Sequence, residues 1–291
     1  VDNVNGTEDE VISIEQFQFR IGGATATLSL AQVAALADPP GPVNVTPTNG
    51  DDVLVDANGV ARTLNAGGGN DIVLGLNLAD NLSGGNGNDL VDGGAGADVI
   101  NGNNGDDILL GAAGADSISG GDGNDVLLGG AANDQLAGGN DNDIIEGGAG
   151  NDTLNGDAGN DVLLGGAGAD TVNGGLGNDT FIATVGDGND NYNGNGGTDT
   201  FDFSGLINGV TVTTTQATSA DIGVDQIQQI ENFIGSQGND NITVNGGVNV
   251  IDGQAGNDTI NAGGGNDTVI GGTGHDPPGS YTTLTPPPNS P

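Results

Sequence analysis

An all-β solenoid of stacked nine-residue units is the fold class this sequence predicts, and three observations predict it. The stretch GGDGNDVLLGGAANDQLAGGNDNDIIEGGAGNDTLNG, from Gly120 to Gly156, returns to the same phrase every nine residues. Glycine fills 59 of the 291 positions while aromatic residues make up only 3 %, unlike an ordinary globular core. Acidic residues number 40 against Arg20, Arg62 and no lysine, so the formal charge is -38 and a compact state requires counter-ions. High charge with modest hydrophobicity is also how disordered chains read. The period argues against disorder, because a solenoid must place one inward apolar residue per unit and a random acidic linker does not.

From Ala66 to Ile182 the register never slips, giving thirteen consecutive units. Position six is always aspartate: Asp71, Asp80, Asp89, Asp98, Asp107, Asp116, Asp125, Asp134, Asp143, Asp152, Asp161, Asp170 and Asp179. Position eight is always apolar: Val73, Leu82, Val91, Ile100, Leu109, Ile118, Leu127, Leu136, Ile145, Leu154, Leu163, Val172 and Phe181. Glycines permit the positive-φ corners of a six-residue turn and leave carbonyls free to point into a common pocket. The three residues after the aspartate then have room for one short strand. Within it, positions seven and nine face outward and position eight lines the interior between two parallel sheets.

Two units complete a coil, so aspartates eighteen residues apart form a column with a repeat of about 4.8 Å. One column runs Asp71, Asp89, Asp107 and on to Asp179; the other runs Asp80, Asp98, Asp116 and on to Asp170. Carboxylates at that spacing repel by about 3 kcal/mol per adjacent pair at an effective dielectric near 20. A hard divalent cation with oxygen ligands resolves the repulsion, and aspartate with several backbone carbonyls is what calcium prefers. Magnesium demands tight octahedral geometry, and zinc wants nitrogen and sulfur ligands. The expected ligands are the position-six aspartates above other than Asp80, together with Asp190 and Asp199 after a two-residue insertion and Asp240, Asp258 and Asp267 further on. On the order of a dozen calcium ions are expected in two rows along the turns of the long block, missing or weak near Leu78 and Ala132. The competing reading is that the aspartates only cap glycine turns through backbone amides.

Departures from the pattern mark turns expected to hold calcium less well. Ala132 and Asp141 replace the fourth-position glycine, and GLNLADNLS at Gly75–Ser83 has lost two glycines. In the unit 57–65, Arg62 stands where aspartate belongs, in the column of Asp80. Its guanidinium either takes the place of the first ion of that column or is an ordinary solvated arginine.

The rest of the chain divides by composition. Residues 1–37 combine an alternating stretch at Val11, Ile14, Phe17 and Phe19 with a helix-compatible segment. Residues 38–48 form a proline-rich linker, and 49–202 the main repeat block. Residues 203–234 leave the repeat, and Val210, Val212, Ile227, Ile230 and Phe233 predict strands of a capping element. DEVISIEQF at Asp9–Phe17 aligns without gaps on DQIQQIENF at Asp225–Phe233, so residues 1–37 read as the end of a preceding module. A second repeat block spans 235–276, and 277–291 is a proline-rich tail. The start VDNVNGTEDE lacks the basic and apolar segments of a cleavable signal and reads as mid-protein.

Several functions are excluded or disfavoured. The acidic surface cannot neutralise phosphates, so nucleic acid is not a partner. No run approaches the roughly 18 apolar residues of a transmembrane segment. Without cysteine or lysine there is no disulfide, thiol catalysis, Schiff base or Walker-type phosphate loop. His275, the lone histidine, sits at position five of the truncated GGTGHD, where its backbone matters more than its ring. The chain reads as non-enzymatic.

Outward positions differ between alternate units. One set carries Ile72, Leu74, Leu90, Ile108, Leu110, Val126, Leu128, Ile144, Val162, Leu164 and Ile182; the other carries Asn81, Ser83, Asn101, Ser117, Ser119, Gln135, Thr153 and Asn155. The apolar stripe, interrupted by Asp92 and Glu146, covers on the order of 300 Å² in projection and is expected to dock a second copy or another domain. Cover by residues 1–46 and a stripe left wet are the alternatives.

The unit GGAGNDTLN matches G-G-x-G-x-D-x-U-x, and the unbroken series resembles the RTX calcium-binding repeat family over roughly half the chain. FDFSG at Phe201–Gly205 and IENFIGSQGNDNI at Ile230–Ile242 look like segments that cap one roll and start the next. The resemblance implies a right-handed parallel β-roll in a bacterial protein secreted by a type I system and placed outside the cell or on its surface. It implies an extracellular calcium-binding structural module that folds on calcium after secretion and supports association or assembly. The other implied context is the non-catalytic C-terminal portion of a secreted haem peroxidase, metalloprotease, lipase or adhesin. The proline tail does not resemble the family's C-terminal secretion signal.

Overall fold

The computed structural model describes residues 16–21, 24–29, 48–55, 63–244 and 246–276. The chain forms two compact units, residues 1–46 and 47–291. In the first, Gln16–Ile21 and Ala24–Ser29 pair antiparallel with Gln16 opposite Ser29 and Ile21 opposite Ala24. Val11, Ile14, the helix-compatible stretch to residue 37, most of the proline linker, Arg62 and the tail 277–291 lie outside the described residues.

The second unit contains strands and turns and, among the described residues, no helix. Successive strands alternate between two sheets of thirteen and twelve strands. In the repeat region neighbours are parallel and mostly eighteen residues away, as where Ile118 lies opposite Leu136 and Leu127 opposite Ile145; the two-residue insertion widens the spacing where Thr171 lies opposite Asn191 and Thr180 opposite Thr200. This is the predicted solenoid of two units per coil. Position eight faces inward throughout: Val73, Leu82, Leu109, Leu127 and Leu163 are fully buried in a single continuous core.

The strands are longer than the three residues expected. Most run six, such as Val126–Ala131 and Val162–Ala167, because pairing resumes beyond the position-one glycine. Leu128 pairs with Glu146 and Gly130 with Gly148, while Gly129 between them is skipped. The position-two glycine makes this kink possible: Gly130 has φ 109° and Gly148 φ 105°, which L side chains rarely adopt.

Residues 203–234 form the strands Thr211–Val212, Gly223–Gln228 and Asn232–Ile234, joined by a further strand Gln216–Ser219; Val212, Ile227 and Phe233 lie in strands as predicted, whereas Val210 and Ile230 fall just outside them. Gln216–Ser219 runs antiparallel to both of its neighbours, so a short meander is spliced into one otherwise parallel sheet. Thr211–Val212 then pairs parallel with Asn241–Thr243, while in the other sheet Asn232–Ile234 pairs directly with Val250–Asp252. Inward aromatic residues gather beside the splice. Phe181, Tyr192, Phe201 and Phe203 are all buried, with Tyr192 and Phe201 ring centroids 4.6 Å apart and Phe201 and Phe203 stacked at 4.4 Å. Larger side chains fill the interior where the regular coil is disturbed.

Candidate calcium sites along the turns

Each position-six aspartate is held by its neighbours in the column. The backbone N–H of Asp71 donates to Asp89 Oδ1 at 2.7 Å, Asp89 to Asp107 at 2.8 Å, and Asp107 to Asp125 at 2.8 Å. The series continues through Asp143, Asp161, Asp179 and Asp199. The other column links Asp80, Asp98, Asp116, Asp134, Asp152, Asp170 and Asp190 in the same way. In the second block Asp240 donates to Asp258 at 2.9 Å and Asn249 to Asp267 at 3.1 Å. One oxygen of each carboxylate therefore does what the turn-capping reading expected.

The other oxygen does not. Oδ2 is buried without a hydrogen-bond partner on Asp71, Asp89, Asp98, Asp107, Asp116, Asp125, Asp134, Asp143, Asp152, Asp161, Asp170, Asp179, Asp199 and Asp258. Buried carboxylate oxygens left unpaired are costly, and their regular recurrence down two columns matches a place for a cation. Oδ2 lies beside the inward position-one glycine. A Cβ on Gly129 would meet Asp134 Oδ2 at 2.6 Å and the Gly147 carbonyl at 2.5 Å. Only glycine leaves that space, and a carboxylate and a carbonyl oxygen both border it. Among the described residues no three Asp, Glu, His or Cys side chains converge, so a bound ion takes one or two carboxylates and completes its shell with backbone oxygens. Calcium accepts such a mixed oxygen set.

Burial is also the main influence on protonation. It pushes Asp107, Asp143 and Asp170 up to about 7, with the backbone hydrogen bond pulling down and neighbouring carboxylates pushing further up. Asp89, Asp125, Asp134, Asp179, Asp199 and Asp258 rise to about 6 for the same leading reason. A divalent ion on these oxygens competes with a proton.

A second ladder runs beside the first in the opposite direction. Position-five Asn70 Oδ1 accepts the N–H of Asn88 at 2.9 Å, and Asn88 Oδ1 that of Asp106 at 3.0 Å. Asn142 Oδ1 accepts from Asn160 at 2.7 Å, and Asn160 Oδ1 from Asn178 at 2.7 Å. Position six thus reaches back one coil and position five reaches forward one. His275 occupies a position-five place and uses its N–H alone, toward Asn257 Oδ1 at 2.8 Å.

The turns expected to be weaker keep a positive φ, smaller than that of fourth-position glycines such as Gly123 at 125° and Gly150 at 151°. Leu76, Leu78, Ala132 and Asp141 all hold φ between 70° and 86°, values a glycine would adopt freely. The strain is on the order of 1–2 kcal/mol per residue. Asp134 and Asp143, in the turns of Ala132 and Asp141, retain the same ladder bonds as their neighbours.

Two of the expected ligands differ. Tyr192 OH donates to Asp190 Oδ2 at 3.2 Å. At Asp240 the Ser236 hydroxyl donates to Oδ1 at 2.6 Å and the Ser236 N–H to Oδ2 at 2.9 Å. The chain itself satisfies both carboxylates. Conversely, two column members, Asp225 and Glu231, escaped the repeat pattern, and a third, Asp276, ends the truncated GGTGHD. Asp225 Oδ1 accepts the N–H of Asp190 at 3.0 Å, Glu231 Oε2 that of Asp199 at 2.9 Å, and Asp276 Oδ1 that of Asp258 at 2.9 Å. The available signal was the acidic-x-apolar spacing, Asp225 with Ile227 and Glu231 with Phe233, which survives where the glycines do not.

A comparison with curated protein sequences gives no match. Among solved structures, the fold is similar to that in an X-ray crystal structure of a hyperactive, Ca2+-dependent, β-helical antifreeze protein from an Antarctic bacterium. The TM-score is 0.53 and the identity 23 %, over 78 % of this chain and 81 % of that one. The family model described as RTX calcium-binding nonapeptide repeat (4 copies) matches residues 74–109, 83–118, 110–145, 146–181, 230–260 and 243–276, more than half of the chain. With repeats, a parallel solenoid and buried aspartate columns in place, this chain belongs to the RTX calcium-binding nonapeptide repeat family.

Proposed function

We propose that the chain is an extracellular, non-catalytic structural module that folds when calcium fills its turns. The observation that supports this reading is the double column of buried Oδ2 atoms in a chain whose basic residues are only Arg20 and Arg62. The position-six aspartates named from the sequence hold the ions, with Asp190 and Asp240 the weakest because Tyr192 and Ser236 already satisfy them. Calcium supplies the positive charge that lets stacked carboxylates approach. The chain supplies the scaffold that fixes one carboxylate oxygen and leaves the other free. Extracellular calcium sites work at about 0.1–1 mM, far above cytosolic levels, so such a chain stays unfolded during export and folds outside. Circular dichroism during a chelator titration tests this: β signal lost on chelation and restored by calcium is expected, and β signal retained without metal rejects it.

The outward aliphatic stripe supports assembly with a second copy or another domain. Ile108, Leu110, Val126 and Leu128 stand in register on adjacent strands and are only half-buried. Replacing these four by threonine is expected to leave calcium-induced folding nearly intact and to abolish calcium-dependent association in light scattering. Unchanged association eliminates this face.

A further inference from the structure

We propose that Asp225, in the spliced meander and outside every nonapeptide repeat, forms a divalent-cation site of its own against the coil of Asp187 and Asp190. The inference rests on the calcium reading of the repeats and extends it to a segment with no repeat sequence.

The turn at 221–226 stacks on the turn at 186–191 as one repeat stacks on the next. Asn191 pairs with Gln226, the Asp190 N–H donates to Asp225 Oδ1 at 3.0 Å, and the Gln226 N–H donates to the Asp190 carbonyl at 2.8 Å. The same pair of bonds joins Asp107 to Asp125 and Val126. Asp225 is 0 % exposed and its Oδ2 has no partner. That atom repeats, without glycine repeats around it, the feature that marks the sites in the columns.

The surroundings are rich in oxygen and, among the described residues, hold no cationic side chain. Asp187 and Asp190 are both buried. Asp187 already accepts the N–H groups of Thr184 at 2.9 Å and Gly188 at 3.0 Å, and Asp190 Oδ2 accepts Tyr192 OH at 3.2 Å. Two further oxygens border Gly223 in the same turn. A Cβ on Gly223, which has φ 81°, would meet the Gly188 carbonyl at 2.6 Å and Asn189 Oδ1 at 2.8 Å. A buried carboxylate oxygen without a partner, close to two further buried aspartates, requires a positive charge, and an oxygen donor suits a hard divalent ion. The alternative is a neutral Asp225 that carries a proton in place of the ion.

Tyr192 makes the site readable. The chain has two tyrosines and no tryptophan, and Tyr192 is the one bonded to Asp190. In the full chain, terbium replacing calcium is expected to give emission under tyrosine excitation that survives Tyr281→Phe and disappears in Tyr192→Phe. Asp225→Asn, an isosteric mimic of the protonated acid, is expected to fold in calcium, to bind one ion fewer per chain by elemental analysis, and to give weaker emission. An unchanged ion count and unchanged emission overturn the proposal and identify a protonated Asp225. Should Asp225→Asn fail to fold, the infrared spectrum of the calcium-loaded wild type at neutral pH decides: absence of a protonated-carboxyl band supports the ion, and its presence overturns it. A chain that binds no terbium and stays folded in chelator instead sinks the calcium reading of the repeats. Ions in the repeats with a full count in Asp225→Asn sink only this inference.

Discussion

The backbone N–H of Asp107 donates to Oδ1 of Asp125 at 2.8 Å while Oδ2 of the same Asp125 is buried and unpartnered. One carboxylate is thereby divided into a fixed half, which aligns two coils, and a free half, which can face an ion. The fixed half sets the alignment of the coils, and the charge of the free half is what an ion has to balance.

Removing a column carboxylate in mid-roll should cost more than removing one near an end, because order in a solenoid passes only between neighbouring coils. Asp125→Ala is expected to raise the calcium concentration at the folding midpoint more than Asp267→Ala does. Parallel calcium titrations followed by circular dichroism check this, and equal midpoints count against coupled columns.

Acidity should partly substitute for calcium. Burial raises Asp107, Asp143 and Asp170 from 3.8 to about 7, so between those values the folded metal-free chain binds more protons than the unfolded one. Its stability is therefore greatest at low pH within that window and falls as pH rises toward about 7. In chelator, more β signal is expected at about pH 5 than at about pH 8. A metal-free chain that gains structure with rising pH contradicts this sign.

The position-five ladder should strengthen the stack without holding an ion. Asn142 Oδ1 accepts both the N–H of Asn160 at 2.7 Å and its side-chain amide at 3.1 Å. Asn142→Ala is expected to cost about 1 kcal/mol in the denaturation of the calcium-loaded chain, with the bound calcium count unchanged. A lost ion would assign this side chain to a binding site instead.

Glycines at different positions of the nonapeptide should differ sharply in tolerance. A methyl on Gly120 would run into Asp125 Oδ2 and the Gly138 carbonyl, whereas Gly264 has nothing within 4 Å. Gly120→Ala is expected to destabilise by about 1–3 kcal/mol and to remove the ion nearest Asp125, and Gly264→Ala to change neither. Calorimetry of the two variants separates them.

The sequence by itself determined the solenoid, because a nine-residue period carrying an inward apolar residue has one economical solution: strands that alternate between two sheets. It also determined both aspartate columns, since position six recurs eighteen residues on at the same side of the coil. Only the tertiary structure decided how each carboxylate is divided. The bond from Asp71 to Asp89 joins coils and depends on where one turn settles on the next, which no local pattern encodes. The splice at 203–234 was legible as strands, but the antiparallel strand Gln216–Ser219 follows from sheet pairing across the chain. Asp225 and Glu231 lack the flanking glycines that announce a repeat, and they enter the columns because the strands of Tyr192 and Phe201 select Ile227 and Phe233 as their neighbours in the core. Local sequence sets a turn's shape; packing against the coil beside it decides which oxygens are left for an ion.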